Sequence, residues 1–368
     1  MGCHYAVAIV GAGAAGCATA IALAARGIED VVVIDMAPQT GWRIGEAIPP
    51  AARQALVELG VWEDFLADCH LPSAGSCASW GKPEVDYNDF LLDQQGKGWH
   101  LDRAAFDAMM AAAVSARGET LLRGLRLREV EAGEVYWLSF EREGGARLRI
   151  SADFLVDATG IAASAVRRLK VARNQIDCLA VVSTVLDLQA PDAIPSQTLL
   201  EACEHGWWYA AKLPKDRMIV ALAVEPCQRR RFGEIGAWTA ALRQTLHVGS
   251  WVERGKAKLV DGRKVATVSA PSAILSRVVG DRWLAVGDAA SAYDPISAQG
   301  IVKALRDGAA AGEAIAAYFA SSGEAPLLAY QDGVFERFRD YLQLRRHLYQ
   351  LERRWVQAPF WQNRMLLG

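Results

Sequence analysis

The chain has 368 residues, 52% hydrophobic and 22% charged, with a formal net charge of −2. That length allows two or so structural domains and a large core, and so balanced a charge creates no global field that would recruit nucleic acid or an anionic membrane. Seven scattered cysteines (Cys3, Cys17, Cys69, Cys77, Cys178, Cys203 and Cys227) form no CxxC, and the six histidines lack metal-ligand spacing, which argues against a disulfide framework or a metal cage. There is no signal-peptide pattern and no apolar run of about 20 residues, so a soluble cytoplasmic protein is expected. Arginines cluster at Arg229, Arg230 and Arg231 and again from Arg337 to Arg354, where solvated helix faces are expected.

The first element is an apolar run, Tyr5 to Val10, that fits a buried parallel strand. Gly11-Ala12-Gly13-Ala14-Ala15-Gly16 follows, then an alanine-rich helical stretch to Gly27. A second strand, Val31 to Ile34, ends at Asp35. Gly11 suits the tight turn, Gly13 a close approach to a diphosphate, and Gly16 close helix–strand packing. Ala14 and Ala15 open the helix, whose N–H groups and dipole favour an anion. Asp35 stands near the spacing of ~20 residues expected for the acid that binds a ribose hydroxyl. Together these predict a dinucleotide site.

The glycine fingerprint alone does not choose between NAD and FAD. Two further strand ends do. Phe154 to Val156 runs into Asp157-Ala158-Thr159-Gly160, and Trp283 to Val286 runs into Gly287-Asp288-Ala289, followed by Asp294-Pro295, Gln299, Gly300 and a long helix from Ile301. In this order the three motifs resemble those of the FAD-dependent aromatic hydroxylase and tryptophan-halogenase superfamily, over most of the chain. The resemblance implies an α/β fold: a Rossmann-type FAD-binding domain of the aromatic hydroxylase or glutathione-reductase-like kind, an antiparallel β-sheet substrate domain and a helical C-terminus.

It also implies roles. Asp288 would bond the ribitol, Gly287 and Ala289 would face the diphosphate, Pro295 would lie near the isoalloxazine, and Gly300 and Ile301 would aim N–H groups at the flavin N1 edge. Ala158 and Gly160 belong to the middle FAD motif. The segment Gly41 to Pro50, with Arg43, Gly45 and Glu46, resembles the family's flavin-side loop; Glu46 is as readily an ion-paired structural acid as a functional one. Trp99 to Asp107 resembles another segment, in which Arg103 contacts flavin and Asp102 caps a helix. Pro295, Gln299 and Glu46 are the candidate catalytic residues.

Between Lys170 and Pro271 the helical signal fades. Leu179 to Val185, Trp207 to Ala211 and Met218 to Val224 read as strands of an antiparallel substrate layer. The expected division is a discontinuous FAD-binding domain (1–70, 100–170 and 272–320), a substrate domain (71–99 and 171–271) and a C-terminal helical segment (321–368). Trp207, Trp208 and Tyr209 are the candidates to line a substrate pocket, although packing explains most of the twelve tryptophans.

For chemistry, the resemblance implies reduced flavin, O2 and a C4a-hydroperoxyflavin. Halogenases relay the halogen through a lysine, and here no lysine precedes Trp80; Lys82 follows it. Their WxWxIP motif is replaced by the segment from Gly206 to Pro214, and Gln299 replaces a threonine. The pattern is most similar to the monooxygenases that mature tryptophylquinone cofactors by hydroxylating a tryptophan in a partner protein. The expected activity is therefore hydroxylation of an electron-rich aromatic, small molecule or peptidyl tryptophan. Electrons would come from NAD(P)H or a separate flavin reductase, since a second nucleotide motif is missing. The alternatives are a halogenase of tryptophan, indole or pyrrole, a flavin oxidase or dehydrogenase of a small amine or alcohol, and a non-catalytic flavin-binding protein.

Overall fold

The structure, a computed structural model, describes residues 3–38, 45–91, 93–259, 265–321 and 323–366. A mainly parallel sheet forms the first layer. Its central strand, His4–Val10, lies between Val31–Asp35 and Arg147–Asp157, with Thr120–Arg123 and Trp283–Ala285 outside them, all parallel. Val7, Ala8 and Ile9 are wholly buried, as an apolar strand covered on both faces must be. Leu125–Glu131 and Tyr136–Arg142 form an antiparallel extension on the early half of Arg147–Asp157.

Two helices with small residues at their contact pack beside this sheet. Ala14–Ala24 meets Gly308 and Gly312 of the helix Gly300–Ser321. A Cβ on Gly308 would lie 2.6 Å from both the Ala15 carbonyl oxygen and the Ala18 Cβ, so the contact requires glycine.

The second layer is a nine-stranded sheet in the order Ser291–Ala292, Ala266–Leu275, Arg173–Asp187, Arg217–Val224, Gly206–Leu213, Thr198–Cys203, Gly75–Ser79 and Asp86–Asp89, with Lys258–Leu259 at the side of Arg173–Asp187. All its pairings are antiparallel except that between Thr198–Cys203 and Gly75–Ser79. A small sheet of Ala47–Ile48, Gly98–His100 and Leu71–Ser73 lies nearby. The chain ends in helices Ala325–Leu351 and Pro359–Leu366. Among the described residues no helix is long and apolar enough to cross a membrane.

One expectation fails in the long helix. Its buried positions, Leu327, Tyr330, Val334, Phe338, Tyr341, Arg345 and Tyr349, recur every three or four residues and form the core-facing stripe. Arg345 belongs to that stripe, 1% exposed, and not to a solvated face.

Candidate active site

At the first strand end Gly11 turns the chain with φ +114°, and a side chain there would strike the Ala158 carbonyl oxygen. Gly16 is pressed against the Gly11 carbonyl and the Ala158 Cβ in the same way. Gly13 is the N-cap of Ala14–Ala24 and brings no capping side chain, so the first-turn N–H groups remain available to an anion. Asp35 is buried; its Oδ2 accepts from the Ala12 N–H and its Oδ1 from the Ala37 N–H, both at 2.7 Å. It thus braces the glycine loop.

The middle motif is built on a different acid. Asp157 is wholly buried and accepts from the N–H groups of Thr159, Ala165 and Val166 and from the Thr159 hydroxyl at 2.7–2.9 Å. Burial pushes its carboxyl up against those donors. It holds Ala158 behind the glycine loop, and Gly160, with φ +65°, at the mouth of the turn.

The late motif lies opposite. Asp288 is partly exposed; its Oδ1 is 3.3 Å from the Nζ of Lys303, a buried lysine that also donates to the Ser291 carbonyl at 2.7 Å and faces Asp307 at 3.6 Å. Arg173 donates to the Asp288 carbonyl at 3.1 Å and to that of Ile161, tying the middle and late motifs together. Beyond them Pro295 and Gly300 are exposed, and Gln299 and Ile301 half-exposed. Ala298 is left-handed, and the first helical bond runs from the Lys303 N–H to the Gln299 carbonyl at 2.8 Å.

Asp294, just before Pro295, is 1% exposed. Its Oδ2 accepts from the Tyr349 hydroxyl at 2.8 Å and from Arg345 Nε at 3.3 Å, and Tyr341 accepts its N–H at 2.8 Å. Arg345 also pairs with Asp177, which Arg364 meets at 3.0 Å while pairing with Glu225 at 2.5 Å. The C-terminal helices are therefore bolted by buried charge to the loop carrying Pro295.

Arg43 lies outside the described residues. Gly45 is described: its carbonyl accepts from Arg103 Nη1 at 2.7 Å, and Arg103 also pairs with Asp107 at 3.3 Å. Asp102 caps the helix Arg103–Ala116 through the N–H groups of Ala104 and Ala105. The Glu46 carbonyl accepts from the Leu101 N–H at 2.7 Å, but its carboxyl is 2% exposed and pushed up to about 7 by burial. Tyr209 feels its charge, and burial drives that phenol well above its ordinary value.

The structure separates the three aromatics of the Gly206–Leu213 strand. Trp208 points away from its neighbours, packing edge-on against Trp238 at 5.3 Å on the other side of the sheet, so it cannot share a pocket with them. Side chains alternate along a strand, and this is the physical reason for the correction. Trp207 and Tyr209 face the layer that holds Ile296. Trp207 lies beneath the C-terminal helices, its indole N–H donated to Tyr349 at 3.2 Å, which leaves the half-buried Tyr209 beside Glu46. Lys303 and Arg173 are absent from the motifs read in the sequence, and Asp294 enters them without a role; Lys303 carries one signal, its spacing of four from Asp307 on one helix.

The FAD binding domain family matches residues 4–339. LodB of Marinomonas mediterranea, described as an FAD-dependent oxidoreductase, is 27% identical over 98% of this chain and 96% of its own. Among solved structures, the flavin-dependent halogenase CmlS superposes with a TM-score of 0.86 at 24% identity, over 99% of this chain and 68% of that one. The peptidyl tryptophan dihydroxylase QhpG, essential for tryptophylquinone cofactor biogenesis, gives 0.79 at 22%, over 98% and 79%. The residues present fit FAD: a glycine cradle that a Cβ would fill, and a helix start at Gly13 with no side chain competing for its N–H groups.

Proposed function

The chain belongs to the FAD binding domain family, and from that premise we propose that it is a monooxygenase that uses O2 to hydroxylate an electron-rich aromatic, with the tryptophan side chain of a peptide or protein as its substrate class. In this reading Gly11, Gly13, Ala14, Ala15 and Gly16 receive the diphosphate, Asp35 the ribose, and Asp288, clamped by Lys303 and Arg173, the ribitol. Gly300 and Ile301 offer N–H groups to the flavin, Pro295 and Gln299 flank it, and Gly45, Arg103, Ala158 and Gly160 complete the surround. Bound FAD, once reduced, supplies the electrons with which O2 is activated. The same reading divides the chain into FAD-binding (1–70, 100–170, 272–320), substrate (71–99, 171–271) and C-terminal (321–368) parts.

The observation that carries hydroxylation over halogenation is the position of Lys82. It is the lysine near Trp80, exposed on the hairpin of Gly75–Ser79 and Asp86–Asp89, with its Nζ paired with Asp86 at 2.7 Å. Halogenation is the second reading, favoured by the likeness to CmlS. Both are tested by loading the protein with FAD, reducing it with NADH, NADPH or a separate reductase, and adding isotopically labelled O2, bromide and a tryptophan-containing peptide. Labelled oxygen in the peptide is the expected result. A brominated peptide establishes the second reading, unlabelled product with peroxide indicates an oxidase, and a protein that cannot be reconstituted with FAD overturns all of these.

A further inference from the structure

Glu46 differs from the buried Asp157 and Asp294. Asp157 is saturated by four donors and Asp294 by a tyrosine, an arginine and a backbone N–H. The Glu46 Oε1 is buried with no hydrogen-bond partner among the described residues. The backbone places it there: Ala47 pairs with His100, Ile48 with Trp99, and the Glu46 carbonyl is held by Leu101. The residue is thereby held at the edge of the small sheet, with its charge felt by Tyr209 of the Gly206–Leu213 strand.

Among the described residues the titratable groups facing it are Arg103 with Asp107 behind, His100 on the neighbouring strand, and Tyr209 across the gap. Arg103 and the Gly45 and Glu46 N–H groups favour the carboxylate, but burial outweighs them. His100 is wholly buried, its Nε2 engaged with the Thr198 hydroxyl at 3.0 Å, and burial lowers it to about 4, so it stays neutral. Tyr209 stays protonated. Glu46 is thus the group here whose proton is exchanged near neutral pH, where an acid–base residue works best.

We propose that Glu46 is the proton acceptor of the site, taking the proton displaced from the ring carbon at which the aromatic substrate is substituted. The ring C–H bond breaks, its electron pair returns to the π-system, and the proton passes to the Glu46 carboxylate and then to water. The oxygen atom that replaces the hydrogen comes from O2, with two electrons from reduced FAD and the second oxygen leaving as water. This role rests on the reading of an aromatic substrate, yet it is indifferent to whether oxygen or halogen enters the ring, because either leaves the same proton to remove.

Two measurements test it. In the full FAD-loaded chain labelled with carboxyl-13C glutamate, the resonance lost in Glu46→Gln is expected to titrate near 7. A midpoint near the ordinary value of 4.5 overturns the proposal, whatever the substrate. In single turnover of a ring-deuterated tryptophan peptide, Glu46→Gln is expected to slow product formation ~100-fold, to flatten its pH dependence and to expose a primary isotope effect, with Glu46→Asp partly restoring the rate. An unchanged rate and pH profile in Glu46→Gln overturns it. If the unaltered enzyme gives no modified peptide, the monooxygenase reading fails, and the NMR titration alone decides Glu46.

Discussion

Tyr349 donates its hydroxyl to the Oδ2 of Asp294 at 2.8 Å, joining the C-terminal helix to the loop that carries Pro295. The same hydroxyl accepts the Trp207 indole N–H. Tyr349→Phe leaves a buried carboxylate oxygen with one donor fewer and a buried N–H with none. We expect it to lower stability by about 2–3 kcal/mol in urea unfolding. FAD release should accelerate in parallel, because the loop loses its tie.

Gly11→Ala places a methyl against the Ala158 carbonyl at a backbone angle that suits glycine. The loop must open, and with it the cradle proposed for the diphosphate. The expected outcome is purified protein without flavin absorbance, with circular dichroism separating lost binding from lost folding.

Lys303→Met removes the cation between Asp288 and Asp307. Among the described residues the buried Asp307 then keeps Arg337 at 3.1 Å as its ion-pair partner. Breaking a buried pair by removing one partner costs about 3–5 kcal/mol; the partly exposed Asp288 and the remaining Arg337 put this case at the low end of that range. Denaturant melts should show that loss, and flavin fluorescence titration a weaker FAD complex.

Glu46 gives stability a pH dependence. The unfolded chain releases this proton near 4.5, whereas the folded chain holds it to about 7. The folded state therefore binds more protons between these values, and stability falls as pH rises from 4.5 to 7, then levels. The loss amounts to about 3 kcal/mol. Glu46→Gln abolishes it, so the variant should be the more stable protein at pH 8 and show no such slope in melts from pH 4.5 to 8.

Trp208→Ala and Tyr209→Phe distinguish the two faces of one strand. The first opens a cavity beside Trp238 and is expected to cost about 3–5 kcal/mol. The second removes one hydroxyl from a half-buried ring and should leave the melting temperature within a few degrees of the original while changing the pH profile of turnover.

The first strand, its glycine turn and the helix start were legible because each part is local, within about one βαβ unit. The resemblance carried FAD and the two later motifs. What escaped were long-range ties. Arg173 reaches Asp288 across 115 positions and Arg345 reaches Asp177 across 168, and no spacing rule reports such pairs. Arg345 was misjudged for a subtler reason. Its charge suggested solvent, although its place in the stripe from Leu327 to Tyr349 pointed inward. Trp208 was misplaced by reading a run of aromatics as a unit, where the strand's alternation already divides it.

The glycines at 308 and 312 have a mechanical consequence. They bring Gly300–Ser321 against the backbone and the Ala18 and Ala22 methyls of Ala14–Ala24, with no longer side chain between them. The two helix starts assigned to opposite ends of the cofactor therefore belong to one stiff body. Any opening that admits a bulky substrate must be borne elsewhere, by the nine-stranded sheet or by the C-terminal helices. The buried Asp177–Arg345–Asp294 chain is where such a hinge would have to give way.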